Sequence, residues 1–331
     1  MPVRTDTLVI GAGSAGLFCA VRWAGAGVAP AARRAGVRIR PDTAAARLVF
    51  DGTRCVGADV TGPDGAERIE AGRTIVCAGA YGSPALLMRS GIGPEQVLAR
   101  LDADPVSVLP GVGANLADHP WCLLDVDVTD LAAIEARPVS GALLRYELPG
   151  DHVEAEIFPW QTRPYAPSVP ATQVSFTAAL MTPLSRGQVT LTPDGGIEVR
   201  VRHLADARDA ARMAEIVTTT AGLVDELAAQ GLVRLPDAPW WRADDVLGAA
   251  RRVAGTYNHH CGTCQMGDPS DPGTVVGPGL DVLGVSGLSV ADSSILPVIP
   301  RANTNLTSMM IGHRAAQLLL AASPASAPAG S

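Results

Sequence analysis

The fold of this chain is decided near its start by the stretch Thr5-Asp6-Thr7-Leu8-Val9-Ile10-Gly11-Ala12-Gly13-Ser14-Ala15-Gly16. Thr5 to Ile10 predicts a buried parallel strand, and Ser14 to Ala26 predicts a helix that ends at Gly27. The first glycine permits a tight turn, the second lets the backbone approach a pyrophosphate, and the third lets the helix pack closely on the strand. The helix N-terminus then faces the anion. We therefore predict a dinucleotide site at Gly11, Gly13, Ser14 and Gly16, against the alternative of a glycine-rich turn without a ligand.

The acidic residue that normally completes such a site is missing. It is expected about 20 positions further on, where it binds the ribose hydroxyls. No Asp or Glu lies between Asp6 and Asp42, and Asp42 comes too late on another kind of segment. Arg33 and Arg34 are suited either to the 2′-phosphate of NADP or to solvent. The residues alone therefore leave the identity of the dinucleotide open.

Composition restricts the class of protein. The 331 residues are 47% hydrophobic and 18% charged, as in globular domains with sizeable cores. A net charge of −7 argues against a nucleic-acid partner and leaves no basic face for a membrane. The six cysteines have no framework spacing, and no apolar run is long enough to span a membrane. We expect a cytoplasmic protein without a membrane span.

Short strands follow the first helix. Asp51-Gly52 and Pro63-Asp64-Gly65 are turn signals that divide this region into a meander. The predicted meander strands are Arg47–Phe50, Cys55–Val60 and Glu67–Glu70. A separate apolar strand, Thr74–Cys77, and a helix, Pro84–Ser90, come next.

The middle of the chain has a different sequence pattern. A hairpin is predicted from Gln188–Thr192 and Ile197–Arg202 around Asp194-Gly195-Gly196. Helical spacing with a stop at Gly231 is shown by Met213, Ile216, Val217, Leu223, Val224 and Leu227. This pattern predicts a sheet backed by a long helix. Met309 to Ala322 predicts a final helix, and residues 323–331 a disordered tail.

The block His259-His260-Cys261-Gly262-Thr263-Cys264, with Asn303 further on, favours alcohol chemistry. An imidazole can accept a hydroxyl proton, and a carboxamide can hydrogen-bond the oxygen as charge develops. Cys261 and Cys264 could instead bind zinc or exchange thiols. No second ligand pair lies at zinc-finger spacing, and no thioredoxin-like context surrounds them, so we expect no metal site.

Three ordered blocks resemble the glucose–methanol–choline (GMC) oxidoreductases. The run from Gly79 to Gly93 (GAYGSPALLMRSGIG) looks like the second signature of that family. Leu109 to Pro120 (LPGVGANLADHP) resembles its next block, and His259 to Gly267 its active-site turn. The C-terminal sequence is loosely similar to the C-terminal sequences of family members associated with mycofactocin.

This resemblance implies an α/β fold with a Rossmann-like FAD-binding domain, split in sequence around a sheet-based α+β substrate domain. The expected bounds are 1–120 and 255–322 for the FAD domain, 121–254 for the substrate domain, and 323–331 for the tail. The implied activity is FAD-dependent oxidation of a small-molecule alcohol, with an unknown electron acceptor.

Site residues carry over by position. His259 matches the general base, in preference to its neighbour His260, which is out of register, and Asn303 matches the second catalytic position. The implied cofactor-binding residues beyond the glycine turn are Ala45, Asp292, Thr304, Asn305 and Leu306. The last three would present backbone at a helix N-terminus to the flavin pyrimidine edge.

Two departures from the family pattern stand out. Gly277 replaces a usual aspartate, and the chain near Val28–Arg34 passes directly to a segment that relatives reach only after a long region. That region holds the second Rossmann strand, so we hypothesise that the chain is an internally deleted or misassembled member of the family. Three alternatives stay open: a non-catalytic remnant that does not retain FAD, a same-fold lyase, and a zinc or dithiol protein built on Cys261 and Cys264.

Overall fold

The structure, a computed structural model, describes residues 3–23, 36–130, 142–148, 153–161 and 172–321. Its first sheet has five strands in the order β1-β4-β3-β2, with β15 pairing to β4. These strands are β1 (Val3–Ile10), β2 (Ala44–Asp51), β3 (Arg54–Gly62), β4 (Gly65–Val76) and β15 (Leu288–Val290). The mixed α/β fold and the predicted first strand are confirmed.

Strand β4 is the centre of this sheet. Its first half pairs antiparallel with β3, and its second half pairs in parallel with β1 and β15. The prediction of two separate strands, Glu67–Glu70 and Thr74–Cys77, is therefore wrong, because one strand runs through both. Gly72 lies within this strand, at a point where a side chain would come within 3.0 Å of the Asp6 carbonyl oxygen. The glycine therefore lets β4 approach β1 closely.

Helices cover this sheet. They are α1 (Ser14–Trp23), α2 (Gly79–Arg89), α3 (Glu95–Arg100) and α6 (Thr304–Ala321), and a short parallel pair joins β5 (Ile92–Gly93) to β6 (Ser107–Val108). The predicted end of α1 at Gly27, the join near Val28–Arg34 and the tail 323–331 lie outside the described residues. On the described part of the chain, no strand pairs with the second edge of β1.

A second sheet of six strands has the order β13-β7-β10-β9-β8, with β14 pairing to β7. Its strands are β7 (Pro120–Val128), β8 (Leu144–Leu148), β9 (Val153–Gln161), β10 (Gln173–Leu180), β13 (Val233–Arg234) and β14 (Gly255–Thr256). One face packs on α4 (Ala207–Ala229) and α5 (Val246–Val253) to form a core separate from that of the first sheet.

The predicted hairpin and long helix are both present. The hairpin joins β11 (Gln188–Leu191) to β12 (Ile197–Arg200), and α4 buries Met213, Ile216 and Val217. Leu223 is an exception, since it is 40% exposed at the margin of the apolar stripe. Among the described helices, none is long and apolar enough to cross a membrane.

Helices α1 and α6 pack against each other at a glycine. A side chain at Gly312 would lie 2.0 Å from the Ala15 carbonyl oxygen, so this position tolerates only a hydrogen. The contact brings the N-termini of the two helices to one edge of the sheet.

We predict that Gly312→Ala lowers the free energy of unfolding by about 1–3 kcal/mol, because the new methyl group forces the helices apart. Gly222→Ala is the matched control, since Gly222 is an exposed glycine of α4 where an added methyl group would meet nothing within 4 Å. That control should be stabilised by about 0.5–1 kcal/mol through helix propensity. Urea unfolding measures both, and equal effects would contradict the proposed packing.

Candidate active site

Three parallel strands end at the same edge of the first sheet. The glycine turn follows β1, Cys77 follows β4, and Ala291 follows β15. The Cys77 amide donates to the Ile10 carbonyl at 2.7 Å, and the Ala291 amide donates to the Val76 carbonyl at 2.9 Å. In open α/β sheets, ligands bind outside the carboxyl ends of such strands.

The glycine turn is shaped for close approach. A side chain at Gly11 would lie 2.2 Å from the Cys77 carbonyl oxygen, and one at Gly16 would lie 2.1 Å from the Gly11 carbonyl oxygen. At Gly13 a side chain would meet nothing within 4 Å. The first and third glycines are therefore required by the fold, whereas the second leaves open space beside an exposed backbone.

The N-terminus of α6 lies next to that of α1. The Ser14 hydroxyl donates to the Asn305 side-chain oxygen at 2.5 Å. Thr304 is buried, and Leu306 is 77% exposed. Two sets of first-turn N–H groups thus converge near the glycine turn, which is an arrangement suited to a diphosphate or another anionic group.

Asp292 holds the sheet edge together. One carboxylate oxygen accepts from the Gly79 amide at 2.9 Å and from the Ser83 hydroxyl at 2.5 Å, and the other accepts from the Ser294 amide at 2.8 Å. Because its oxygens already have protein donors, the structure gives it an anchoring role. Its direct contact with a cofactor stays a prediction.

Ala45 lies apart from the other predicted cofactor residues. It is on β2, whereas the glycine turn follows β1 at the opposite end of the strand order. Three strand spacings correspond to about 14 Å. The structure therefore does not bring Ala45 to the glycine turn, and its assignment stays a prediction.

The loop that carries His259 is held by backbone pairing on both sides. Cys261 exchanges two 3.0 Å hydrogen bonds with Ala117, and the Cys264 amide donates to the Ser294 carbonyl at 2.8 Å. The Thr263 hydroxyl donates to the Ala80 carbonyl at 2.6 Å. Pro84, inside α2, has no N–H for that carbonyl, so the loop satisfies the acceptor that the proline leaves open.

His259 and Asn303 are brought into contact. The Asn303 side-chain nitrogen lies 3.1 Å from His259 Nε2, and His259 Nδ1 lies 2.8 Å from His119 Nδ1. His260 points elsewhere, with its Nε2 3.1 Å from the Thr256 hydroxyl. Of the two neighbouring histidines, His259 therefore has the geometry expected of a base paired with an amide.

Asp118 lies close to these histidines and accepts several hydrogen bonds. None of its side chain is exposed. It accepts from His203 Nε2 at 2.9 Å, from the Thr256 hydroxyl at 2.6 Å and from the His259 amide at 2.8 Å. Burial alone would raise the pKa of Asp118, but these donors and the nearby His260 lower it overall. The carboxylate thus stays charged and fixes the backbone at His259.

The histidines themselves favour their neutral forms. Burial lowers the pKa of His259, Asp118 partly opposes this, and His260 adds to it. Burial and the neighbouring His259 lower the pKa of His119 to about 3. Near neutral pH both rings are therefore uncharged, and His259 can accept a proton.

Cys261 and Cys264 are both buried, free thiols. Burial raises the pKa of Cys261 to about 12 and raises the pKa of Cys264 as well. Thiolates are the metal-binding and nucleophilic forms, so this environment disfavours both zinc binding and thiol exchange. Within the described ranges, no group of three or more His, Cys, Asp or Glu side chains could hold a metal.

An aromatic surface borders His259. The Tyr257 ring lies 4.2 Å from the His259 ring and stacks on Trp121 at 5.0 Å and on Phe158 at 5.7 Å. Trp160 lies 5.6 Å from Trp121 on the same surface. Trp241, in contrast, belongs to the core behind the sheet with Trp240.

The roles of several of these residues were not predicted from the sequence. Asp118 and His119 stand in a block that resembles the family, but their role depends on contacts made far along the chain. Tyr257 precedes the active-site block, and neither its pattern nor that of Trp121 indicates that their rings stack. Only the quoted block around Asp118-His119 was a signal that could have directed attention to them.

We predict that Asp118→Asn lowers the free energy of unfolding by about 3 kcal/mol at pH 7, because it removes a buried charge that compensates several donors. Since the folded pKa lies below the unfolded one, the carboxylate stabilises the fold above the unfolded pKa of about 3.9 and loses this effect as the pH falls further. Urea unfolding at pH 7 and pH 3.5 should show that the difference in unfolding free energy between wild type and Asp118→Asn is smaller at pH 3.5. Asp237→Asn, at an exposed site, is the control. A difference between wild type and Asp118→Asn that does not change with pH would contradict the role given to the Asp118 carboxylate.

Comparison with known proteins agrees with this geometry. Two family models, both described as GMC oxidoreductase, match residues 23–121 and 183–312, together more than half of the chain. An uncharacterized GMC-type oxidoreductase of Rhodococcus erythropolis is 35% identical over 297 residues, which cover 88% of this chain and 58% of that protein. The oxygen-dependent choline dehydrogenase of Brucella canis is 31% identical over 341 residues, covering 92% and 62%.

Solved structures show the same fold. Pyridoxine 4-oxidase from Mesorbium loti superposes with a TM-score of 0.70 at 25% identity, covering 85% of this chain and 58% of that one. A formate oxidase gives a TM-score of 0.73 at 21% identity, covering 87% and 62%. The chain spans less than two thirds of the length of each of these proteins. With its two matching domains and the site built at the expected blocks, it belongs to the GMC oxidoreductase family.

Proposed function

We propose that this chain oxidises the CH–OH group of a small alcohol with FAD as its cofactor. The observation that carries the proposal is the 3.1 Å contact between His259 Nε2 and the Asn303 amide, two residues distant in sequence. GMC oxidoreductases are FAD-dependent, and relatives of this chain are named for choline and pyridoxine, both of which are alcohols.

The residues at the sheet edge fit a dinucleotide. The open space at Gly13 and the converging N-termini of α1 and α6 suit the pyrophosphate, with Gly11 and Gly16 shaping the turn. The backbone of Thr304 to Leu306 would lie along the flavin. When bound, FAD supplies the acceptor for the hydride that leaves the carbinol carbon.

The protein residues manage the hydroxyl proton. Asn303 donates to His259 Nε2, so the amide occupies the position that the alcohol hydroxyl would take. When the hydroxyl replaces that contact, Nε2 accepts its proton and the Asn303 amide can donate to the oxygen as negative charge develops. The lowered pKa of His259 keeps its ring neutral and ready to accept at neutral pH.

We predict that His259→Ala lowers the rate of flavin reduction by an alcohol by about 10²–10⁴-fold, since the proton acceptor is lost. His260→Ala should have a smaller effect, because its ring faces Thr256 rather than Asn303. Anaerobic mixing with a panel of alcohols, followed by flavin absorbance, measures both. Equal losses in the two variants would show that the base is assigned to the wrong histidine.

A second prediction concerns the cofactor. Gly13→Ala should weaken FAD binding at least about tenfold, because its methyl group enters the space left for the pyrophosphate. The melting temperature of the FAD-free protein should stay unchanged, since that methyl group meets no protein atom. Calorimetric FAD titration and thermal unfolding separate the two effects. Unchanged affinity would place the pyrophosphate elsewhere.

The internally deleted, non-catalytic remnant is the second candidate. It is favoured by the second edge of β1, which has no partner strand on the described part of the chain. A protein that stays colourless with excess FAD would support the remnant, and flavin that no alcohol bleaches would support a same-fold lyase. The domain bounds, the mycofactocin association and the cytoplasmic location stay predictions.

A further inference from the structure

His119 is a fully buried histidine that the proposed proton transfer does not itself use. It directly precedes β7 and lies 2.8 Å, Nδ1 to Nδ1, from His259. The two rings meet almost perpendicularly, at 87°. A pair of ring nitrogens at this distance must share one proton, with one donating and the other accepting.

The other contacts of His259 decide which nitrogen carries that proton. The Asn303 amide nitrogen is a donor, so the Nε2 atom that it faces is an acceptor. A neutral imidazole has one N–H, and it must therefore be on Nδ1 of His259. His119 Nδ1 is then the acceptor.

The surroundings of His119 keep its ring neutral. Burial and the nearby His259 lower its pKa to about 3, although Asp118 and the backbone carbonyls of Met181 and Pro300 oppose this. The ring consequently remains neutral over the working pH range, and its Nδ1 lone pair stays available. The ionisable groups that face His259 are Asp118, His119, Tyr257 and His260.

Consecutive residues thus hold His259 at two points. Asp118 accepts from its backbone amide at 2.8 Å, and His119 contacts its ring. We propose that His119 is a positioning residue: it accepts the Nδ1 proton of His259, directs the Nε2 lone pair toward the alcohol, and keeps this hydrogen bond when His259 is protonated. The inference rests on the proposed function, because it assigns His119 a part in the same proton transfer.

The test compares His119→Leu with His119→Asn. The two replacements have similar size, but only asparagine keeps an oxygen acceptor at the position of Nδ1. Nitrogen-15 NMR of histidine-labelled protein reports the tautomer and pKa of His259 without any need for flavin. His313→Gln, on the exposed surface of α6, removes a distant histidine as a control.

In wild type and His119→Asn we expect His259 to carry its proton on Nδ1. In His119→Leu we expect the proton to move to Nε2 and the pKa of His259 to fall. Alcohol-dependent flavin reduction should drop by about 10²-fold, and its acidic limb should move to lower pH. Recovery of the tautomer and most of the rate in His119→Asn supports the proposal.

Two results would overturn it: a wild-type His259 protonated on Nε2, or an unchanged tautomer and pH profile in a folded His119→Leu variant. If the tautomer responds as expected but the wild type reduces no flavin with any alcohol, the proposed function fails while the hydrogen-bond assignment stands. Loss of folding in His119→Leu leaves the wild-type tautomer and His119→Asn as the deciding measurements.

Discussion

The buried carboxylate of Asp118 is the constraint on which the arrangement of this site depends. A buried charge must be compensated, and here three donors from two separate parts of the chain compensate it. His203 reaches it from the segment before α4, Thr256 from β14, and His259 through its backbone amide. Because Asp118 lies just before β7, this compensation joins the sheet that carries the aromatic surface to the loop that carries the base.

The opposite wall of the site depends on packing and backbone contacts. Glycines let α1, α6 and the ends of the parallel strands approach until a methyl group would not fit. The loop from His259 docks on this wall through backbone bonds to residues beside Asp292 and through Thr263, which satisfies the carbonyl left open by Pro84. The candidate base is therefore fixed between a dinucleotide-type sheet edge on one side and an aromatic sheet face on the other.

Local patterns were enough to predict much of this fold. The apolar run before Gly11, the turn dipeptides around β3 and the helical spacing of α4 each depend on neighbouring residues, and the structure has these elements. Contacts between distant segments were not predictable in the same way. The sequence predicted two strands in place of β4, and no local pattern at Gly72 indicates its contact with β1. Leu223 was placed in the core because spacing alone does not define the width of the buried stripe.

In the candidate site, too, some features could be predicted from the sequence and others could not. The pairing of His259 with Asn303 followed from family resemblance, whereas the hydrogen bond between His119 and His259 connects residues 140 positions apart and has no sequence signal. A crystal structure of the protein grown with saturating FAD tests the proposed site most directly. We predict the pyrophosphate at the N-termini of α1 and α6, with the flavin ring facing His259 Nε2. Flavin bound elsewhere, or no bound flavin, would contradict the proposed site.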